Sequence, residues 1–387
     1  MLSRREFLMA MAKLAPVLGG SGLVLSGFIE DILFHESGLA HALDPTDELV
    51  QLAPRARYWT SQASGLVRCL LCPQGCVIPA GGRGRCRTRM NVGGELRSLV
   101  YGQPVSIHVD PIEKKPFYHY LPGSEAYSLA TAGCPLQCKF CQNWQISQAS
   151  PEDYRTPRRS PSWIALSAAT RRAQVIAFTY GEPVIFAEYL LDIAREAKKL
   201  GLRSTMVTCG FINQAPLADM CKVLNAIKVD LKGYDMSFYR NVCGAELQPV
   251  LRSIRQIARS RVHLEIVNLV VPTLNDSDKM LQGLIDWVLG EVGPDVPLHF
   301  SRFHPDYQML NLPATPVATL ERARAMAMSR GMRYVYVGNV PGHPGNHTYC
   351  PFCGKMLIRR TAYFVQDVKI KNGRCGYCGR KIAGVWV

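Results

Sequence analysis

Cys134-Pro135-Leu136-Gln137-Cys138-Lys139-Phe140-Cys141 puts three thiols in a CxxxCxxC loop. Structural zinc and ordinary 4Fe-4S centres take four protein ligands, so three thiolates leave one coordination position for something else. The deficit points to an iron-sulfur cluster with one iron open to a small molecule. Isolated buried or disulfide-bonded cysteines would not need so tight a spacing.

Outward from the loop, apolar runs alternate with amphipathic stretches. The period changes predict strands at 127–131, 175–179, 203–208, 226–231, 263–271, 298–303 and 334–338, with helix-like segments at 183–200, 276–289 and 317–330 between them. Repeated βα units imply an α/β fold with a parallel sheet, either doubly wound or closed toward a barrel. The cysteine loop directly follows the first of these strands, and in such folds chemistry gathers at the C-terminal strand ends.

Eleven of the fourteen cysteines fall in three groups. Upstream are Cys69, Cys72, Cys76 and Cys86, which suit zinc or an auxiliary iron-sulfur cluster; spacing does not decide between them. Downstream, Cys350-Pro-Phe-Cys353-Gly and Cys375-Gly-Tyr-Cys378-Gly are matched knuckles of a zinc-ribbon-like module, with glycine after each pair. An iron site of rubredoxin type uses the same shell of four sulfurs. Cys209, Cys221 and Cys243 read as small hydrophobic residues.

Further motifs end the later strands: Tyr180-Gly181-Glu182-Pro183, Lys228-Val229-Asp230-Leu231-Lys232 and Ser301-Arg302-Phe303-His304. Together with the CxxxCxxC loop, they resemble the radical SAM superfamily. Asp110-Pro-Ile-Glu-Lys-Lys-Pro116, Tyr118-His119-Tyr120-Leu-Pro-Gly123, Cys141-Gln-Asn143-Trp144 and Gly338-Asn339-Val340 narrow the resemblance to the radical SAM enzyme of the AmmeMemoRadiSam system, a relative of the pyruvate formate-lyase activating enzyme. It runs from about Cys69 to Trp386.

The resemblance implies a partial (β/α) radical SAM barrel with a small N-terminal four-cysteine module and a C-terminal zinc-ribbon-like module. It also implies a 4Fe-4S cluster on Cys134, Cys138 and Cys141. Gly181 and Glu182 would hold the amino group of S-adenosyl-L-methionine (SAM), Asp230 and Lys232 would face the cofactor, and His304 would lie near its adenosine end. Where the activating enzymes carry Asp-Thr-Asn-Gly-Phe, this chain has Val207-Thr208-Cys209-Gly210-Phe211, so contacts of the missing Asp and Asn do not carry over. The implied reaction is reductive cleavage of SAM to methionine and a 5′-deoxyadenosyl radical, which removes hydrogen from a protein or small-molecule substrate. An external low-potential electron donor and AmmeMemoRadiSam system proteins are the implied partners. Two rivals are a glycyl-radical-enzyme activase and, in another class, a basic zinc-ribbon nucleic-acid-binding protein whose iron-sulfur cluster is structural.

The chain holds 45 Lys and Arg against 30 Asp and Glu, a formal charge of +15. Its arginines are dispersed and no aromatic RNA-binding motif is present, so no nucleic-acid partner is expected. Ser3-Arg4-Arg5-Glu6-Phe7-Leu8, an apolar stretch over 14–28 and Ala40-His41-Ala42 form a twin-arginine signal pattern. It predicts export through the twin-arginine translocase to a periplasmic or membrane-associated location, with a cytoplasmic pool as the alternative. The expected organisation is a signal over 1–42, an N-terminal four-cysteine metal-binding region over 43–124, a radical SAM core over 125–340 and a zinc ribbon over 341–387.

Overall fold

The computed structural model describes residues 45–387. The chain divides into two units, Met1–Glu48 and Leu49–Val387, and the fold is that of the second. The twin-arginine segment lies outside the described residues. The expected localisation is corrected: among the described residues no helix is long and apolar enough to cross a membrane. Export with membrane association is therefore withdrawn.

Two antiparallel groups come first: β1 (Trp59–Ser61), β2 (Val67–Cys69) and β3 (Val77–Ile78), then β4 (Arg89–Val92) paired with β5 (Glu95–Ser98). The main sheet has eight strands: β6 (Ser106–Pro111), β7 (Glu125–Ala130), β8 (Val175–Phe178), β9 (Arg203–Thr208), β10 (Ala226–Asp230), β11 (His263–Val270), β12 (Leu298–Arg302) and β13 (Val335–Gly338). Each strand pairs with its neighbours in sequence. Only β6, against β7, is antiparallel.

This order decides between the two architectures. A doubly wound sheet reverses its strand order at a switch point, whereas an unbroken sequential order winds one way and sets the crossover helices on one face. The result is the expected α/β barrel-like core, open between β6 and β13. Helices α1 (Pro161–Thr170), α2 (Ala187–Lys199), α3 (Gln214–Cys221), α4 (Leu247–Ala258), α5 (Asp278–Glu291) and α6 (Val317–Ser329) fill the connections between successive parallel strands. All seven predicted strands are present within two residues. β6 begins upstream of residue 125, where the sequence reading starts the core.

Local sequence explains the elements. Val175–Phe178 is buried at every position, as a parallel strand covered on both faces must be. Helix α2 buries Leu190, Leu191, Ile193, Ala194 and Ala197. Lys198 and Lys199 complement the dipole in its last turn, and Gly201, at φ +73°, follows its end. Helix α1 starts at Ser160, whose side chain accepts from the Trp163 amide, with Pro161 in the first turn.

Segment 112–124 closes the floor of the open barrel. Phe117 and Tyr120 pack with Val175, Ala177 and Ala226, while Tyr118 packs with Tyr334 and Tyr336. The Tyr118 and His119 amides donate to the buried Glu265 carboxylate, which also bonds the rings of His263 and His299. Burial alone would raise the Glu265 carboxyl; these donors outweigh it and hold it well below the usual carboxylate range.

The C-terminal module, with β14 (Thr348–Tyr349), β15 (Met356–Thr361), β16 (Phe364–Val368), β17 (Ile370–Lys371) and β18 (Arg374–Cys375), docks on that floor. Buried Arg360 donates to the Tyr118 carbonyl at 2.8 Å. The Val385 amide donates to the His119 carbonyl, and the Leu121 amide to the Val385 carbonyl, both at 2.8 Å.

Candidate active site

The cysteine loop leaves β7 at its C-terminal end and is held by backbone bonds from both sides. The Gln137 and Lys139 amides donate to the Cys243 and Val242 carbonyls, each at 3.0 Å. Those carbonyls belong to a π-helical turn, Tyr239–Cys243, and such turns often mark functional sites. Cys243 is thus buried behind the loop, as its reading as a small hydrophobic residue requires. The Gly133 amide donates to the Ile146 carbonyl at 2.8 Å, fixing where the loop begins.

Cys134, Cys138 and Cys141 line a cavity of about 500 Å³ over the parallel strand ends. Gly181, Glu182, Asp230 and Lys232 line it too, so the structure brings together four of the five residues assigned to SAM. The volume suits a ligand of SAM's size. His304 is not among them. It is exposed on the loop beyond β12, whereas His299, on the strand itself and 1% exposed, lines the cavity.

Glu182 is 3% exposed. One of its oxygens accepts from Thr208 Oγ1 at 2.6 Å and the Val184 amide at 3.2 Å, the other from the Cys209 amide at 2.8 Å. It also caps the short helical turn that follows, so capping and cavity lining coexist at this residue. Burial pushes its carboxyl up and these donors pull against it. Tyr180, two residues before it, has φ +64°, a left-handed conformation uncommon for an aromatic residue and frequent where a site stores strain. Asn143 Nδ2 donates to the Tyr180 carbonyl at 2.9 Å, tying the cysteine loop to this motif. Trp144 is 37% exposed and stacked on Tyr307.

Asp230 sits between Lys228 and Lys232, the latter at 2.9 Å. Burial would raise its carboxyl, but the two ammonium groups override that and bring it to about 2. Lys232 also lies over the Phe140 ring of the cysteine loop at 5.8 Å. A second polar group, whose role the sequence did not show, borders the cavity through Lys114, Lys115 and Tyr180: Asp110 of β6 bonds Lys114 at 2.8 Å, Lys115 at 2.5 Å and the Tyr180 hydroxyl. Lys115 is 4% exposed, and burial lowers its ammonium to about 8 despite Asp110. The signal lay in the Glu113-Lys114-Lys115 run, but nothing local shows that its second lysine points inward.

The four ribbon thiols lie within 4.8 Å of one another, with Cys350 and Cys378 at 3.7 Å and Cys353 and Cys375 at 3.8 Å. A tetrahedral ion with M–S bonds of about 2.3 Å sets its sulfurs roughly 3.8 Å apart. The set therefore fits a single metal ion. Gly354 and Gly379, at φ +72° and +73°, donate to the Cys350 and Cys375 carbonyls, one after each knuckle.

The sequence profile of the Radical SAM superfamily matches residues 128–287. The uncharacterized protein MJ0808 of Methanocaldococcus jannaschii is 40% identical over 329 residues, 84% of this chain and 98% of that protein. Cysteine loop, sequential barrel and full-length relative agree, and the chain belongs to the radical SAM superfamily of enzymes. More distantly, it is similar to the pyruvate formate-lyase 1-activating enzyme of Escherichia coli K12, 29% identical over 154 residues; the match spans 38% of this chain and 61% of that enzyme. Among solved structures, a radical SAM methyltransferase from Sphaerobacter thermophilus is 14% identical with a TM-score of 0.44, over 77% of this chain and 82% of that one.

Proposed function

We propose that the chain cleaves SAM reductively, with a 4Fe-4S cluster on Cys134, Cys138 and Cys141, and uses the radical to take hydrogen from a substrate in the cavity. The observation that carries this reading is that three thiols, one short of a closed shell, share a single cavity with Glu182. When bound, the reduced cluster supplies the electron that converts SAM to methionine and a 5′-deoxyadenosyl radical.

The chain's own residues place and shield. Glu182 orients the ligand ammonium, since a carboxylate held from one side by three donors presents its remaining lone pair to the cavity. Asp230 and Lys232 form a fixed ion pair beside Phe140 and set the wall against which the cofactor lies. Lys228, His299 and Ser301 give the cavity a polar lining, suited to a polar small molecule or protein side chain. An external low-potential one-electron donor completes the reaction. Within the superfamily, the strings around Asp110, Tyr118 and Gly338 support the AmmeMemoRadiSam system enzyme, with other proteins of that system as partners. Zinc is the ion proposed for the ribbon. The likeness to the activating enzyme supports a second reading, in which the hydrogen comes from a glycine of a partner enzyme.

The test is anaerobic reconstitution with iron and sulfide, reduction with dithionite and assay for 5′-deoxyadenosine. The product is expected from the native chain and not from the triple Cys134→Ala, Cys138→Ala, Cys141→Ala variant. Equal product from both would remove the assignment.

A further inference from the structure

The N-terminal cysteines differ in spacing from the ribbon. Among the described residues, the ribbon thiols form the one set of three or more Cys, His, Asp or Glu whose ligand atoms all lie within 4.8 Å of each other. No three of Cys69, Cys72, Cys76 and Cys86 meet that limit, although all four line one small cavity. A single tetrahedral ion would need every pair roughly 3.8 Å apart. An iron-sulfur cluster spreads its thiolates because several irons stand between them.

An independent observation points to an anionic occupant. Arg89 lines the same cavity and is fully buried, its guanidinium bonded to Glu188 at 2.6 and 2.7 Å and to the Arg57 carbonyl at 2.8 Å. Its Nε–H has no partner among the described residues. A buried donor left unmade costs about 1–3 kcal/mol, and cluster or thiolate sulfur would accept it. Around the thiols the backbone is already arranged to donate: the Arg85 amide faces Cys76 Sγ at 3.5 Å. Thr88 Oγ1 lies 3.2 Å from Cys86 Sγ.

We propose that Cys69, Cys72, Cys76 and Cys86 hold an iron-sulfur cluster with a complete shell of four thiolates, and not zinc. The shell leaves no iron open, so this site binds no SAM. It abuts the radical loop directly. Pro135, next to Cys134, lines the cavity, and Gln74 Nε2 donates to the Pro135 carbonyl at 3.1 Å. At Gly133 an added Cβ would stand 2.5 Å from the Cys86 carbonyl oxygen.

The experiment counts iron, acid-labile sulfide and zinc in the full chain after anaerobic reconstitution. More than four irons per chain, with matching sulfide and one zinc, is the expected result. Four irons or fewer with two zincs would overturn the proposal. The triple Cys134→Ala, Cys138→Ala, Cys141→Ala variant should retain iron and sulfide in equal amounts; two zincs with no sulfide there would also overturn it. If iron exceeds four but 5′-deoxyadenosine is not formed, the proposed SAM chemistry fails and this site stands.

Discussion

Replacing Glu182 with glutamine keeps the side-chain shape and removes one charge. An ionised carboxylate offers about four lone-pair positions. Three are taken, by Val184 N, Thr208 Oγ1 and Cys209 N. One is left, on the oxygen that accepts from Cys209, and one charge-assisted hydrogen bond to the SAM ammonium is what the variant forfeits. At about 1.5–3 kcal/mol for such a bond and 1.4 kcal/mol per tenfold, SAM should bind roughly 10- to 150-fold more weakly. The amide nitrogen would also face the Cys209 N–H, donor against donor, so some stability goes with it. Thr208→Val separates the two effects, because it takes one donor from the other oxygen and leaves the free lone pair in place. The assay is anaerobic calorimetry with SAM on reconstituted protein of matched iron content. An unchanged affinity in Glu182→Gln, or an equal loss in Thr208→Val, would refute the reasoning.

Gly133→Ala forces a side chain into φ +98° and sets Cβ 2.5 Å from both the Cys86 carbonyl oxygen and Thr88 Cγ2. Left-handed strain of about 1–2 kcal/mol adds to overpacking of about 1–3 kcal/mol, so unfolding by urea should shift to clearly lower concentration; a native midpoint would contradict the packing. His119 is fully buried, and burial lowers its imidazole from 6.5 to about 3. Between those values the unfolded chain binds the proton and the native one does not. Its contribution is therefore complete above pH 6.5 and declines by about 1.4 kcal/mol per unit below it. Thermal melts from pH 7.5 to 5.5 should show a shallower decline in His119→Gln, and equal slopes would count against the assignment. Cys378→Ser should cost one zinc per chain while leaving the iron content intact, read by metal analysis; unchanged zinc would remove the ribbon assignment.

The parallel strands were legible because they are continuous apolar runs, such as Val175–Phe178, whereas their closure into a barrel came only from the family resemblance. Strand β6 escaped because Ser106–Pro111 is an edge strand, half polar and antiparallel, with no crossover helix to announce it. The cysteine loop could be read from its spacing, since its chemistry is local, whereas Glu182 was reached only through the likeness of Tyr180-Gly181-Glu182-Pro183 to a superfamily motif. Lys228 and His299 could not, because both lie in mid-strand and enter the cavity only through the pleat and the closure of the sheet. His304 and His299 are five residues apart, and sequence order says nothing about which faces inward. The Asp110 and Tyr118 strings were conspicuous, but their roles depend on partners such as Glu265, 147 positions beyond Tyr118.

Because His119 and Leu121 bond Ala383 and Val385, the floor of the barrel is joined from segments 264 positions apart. The floor is complete only once residues 383–385 have joined it. Closing so long a loop comes late in folding. A cavity whose base is joined by so distant a contact would stand open at that end for as long as the contact is unmade.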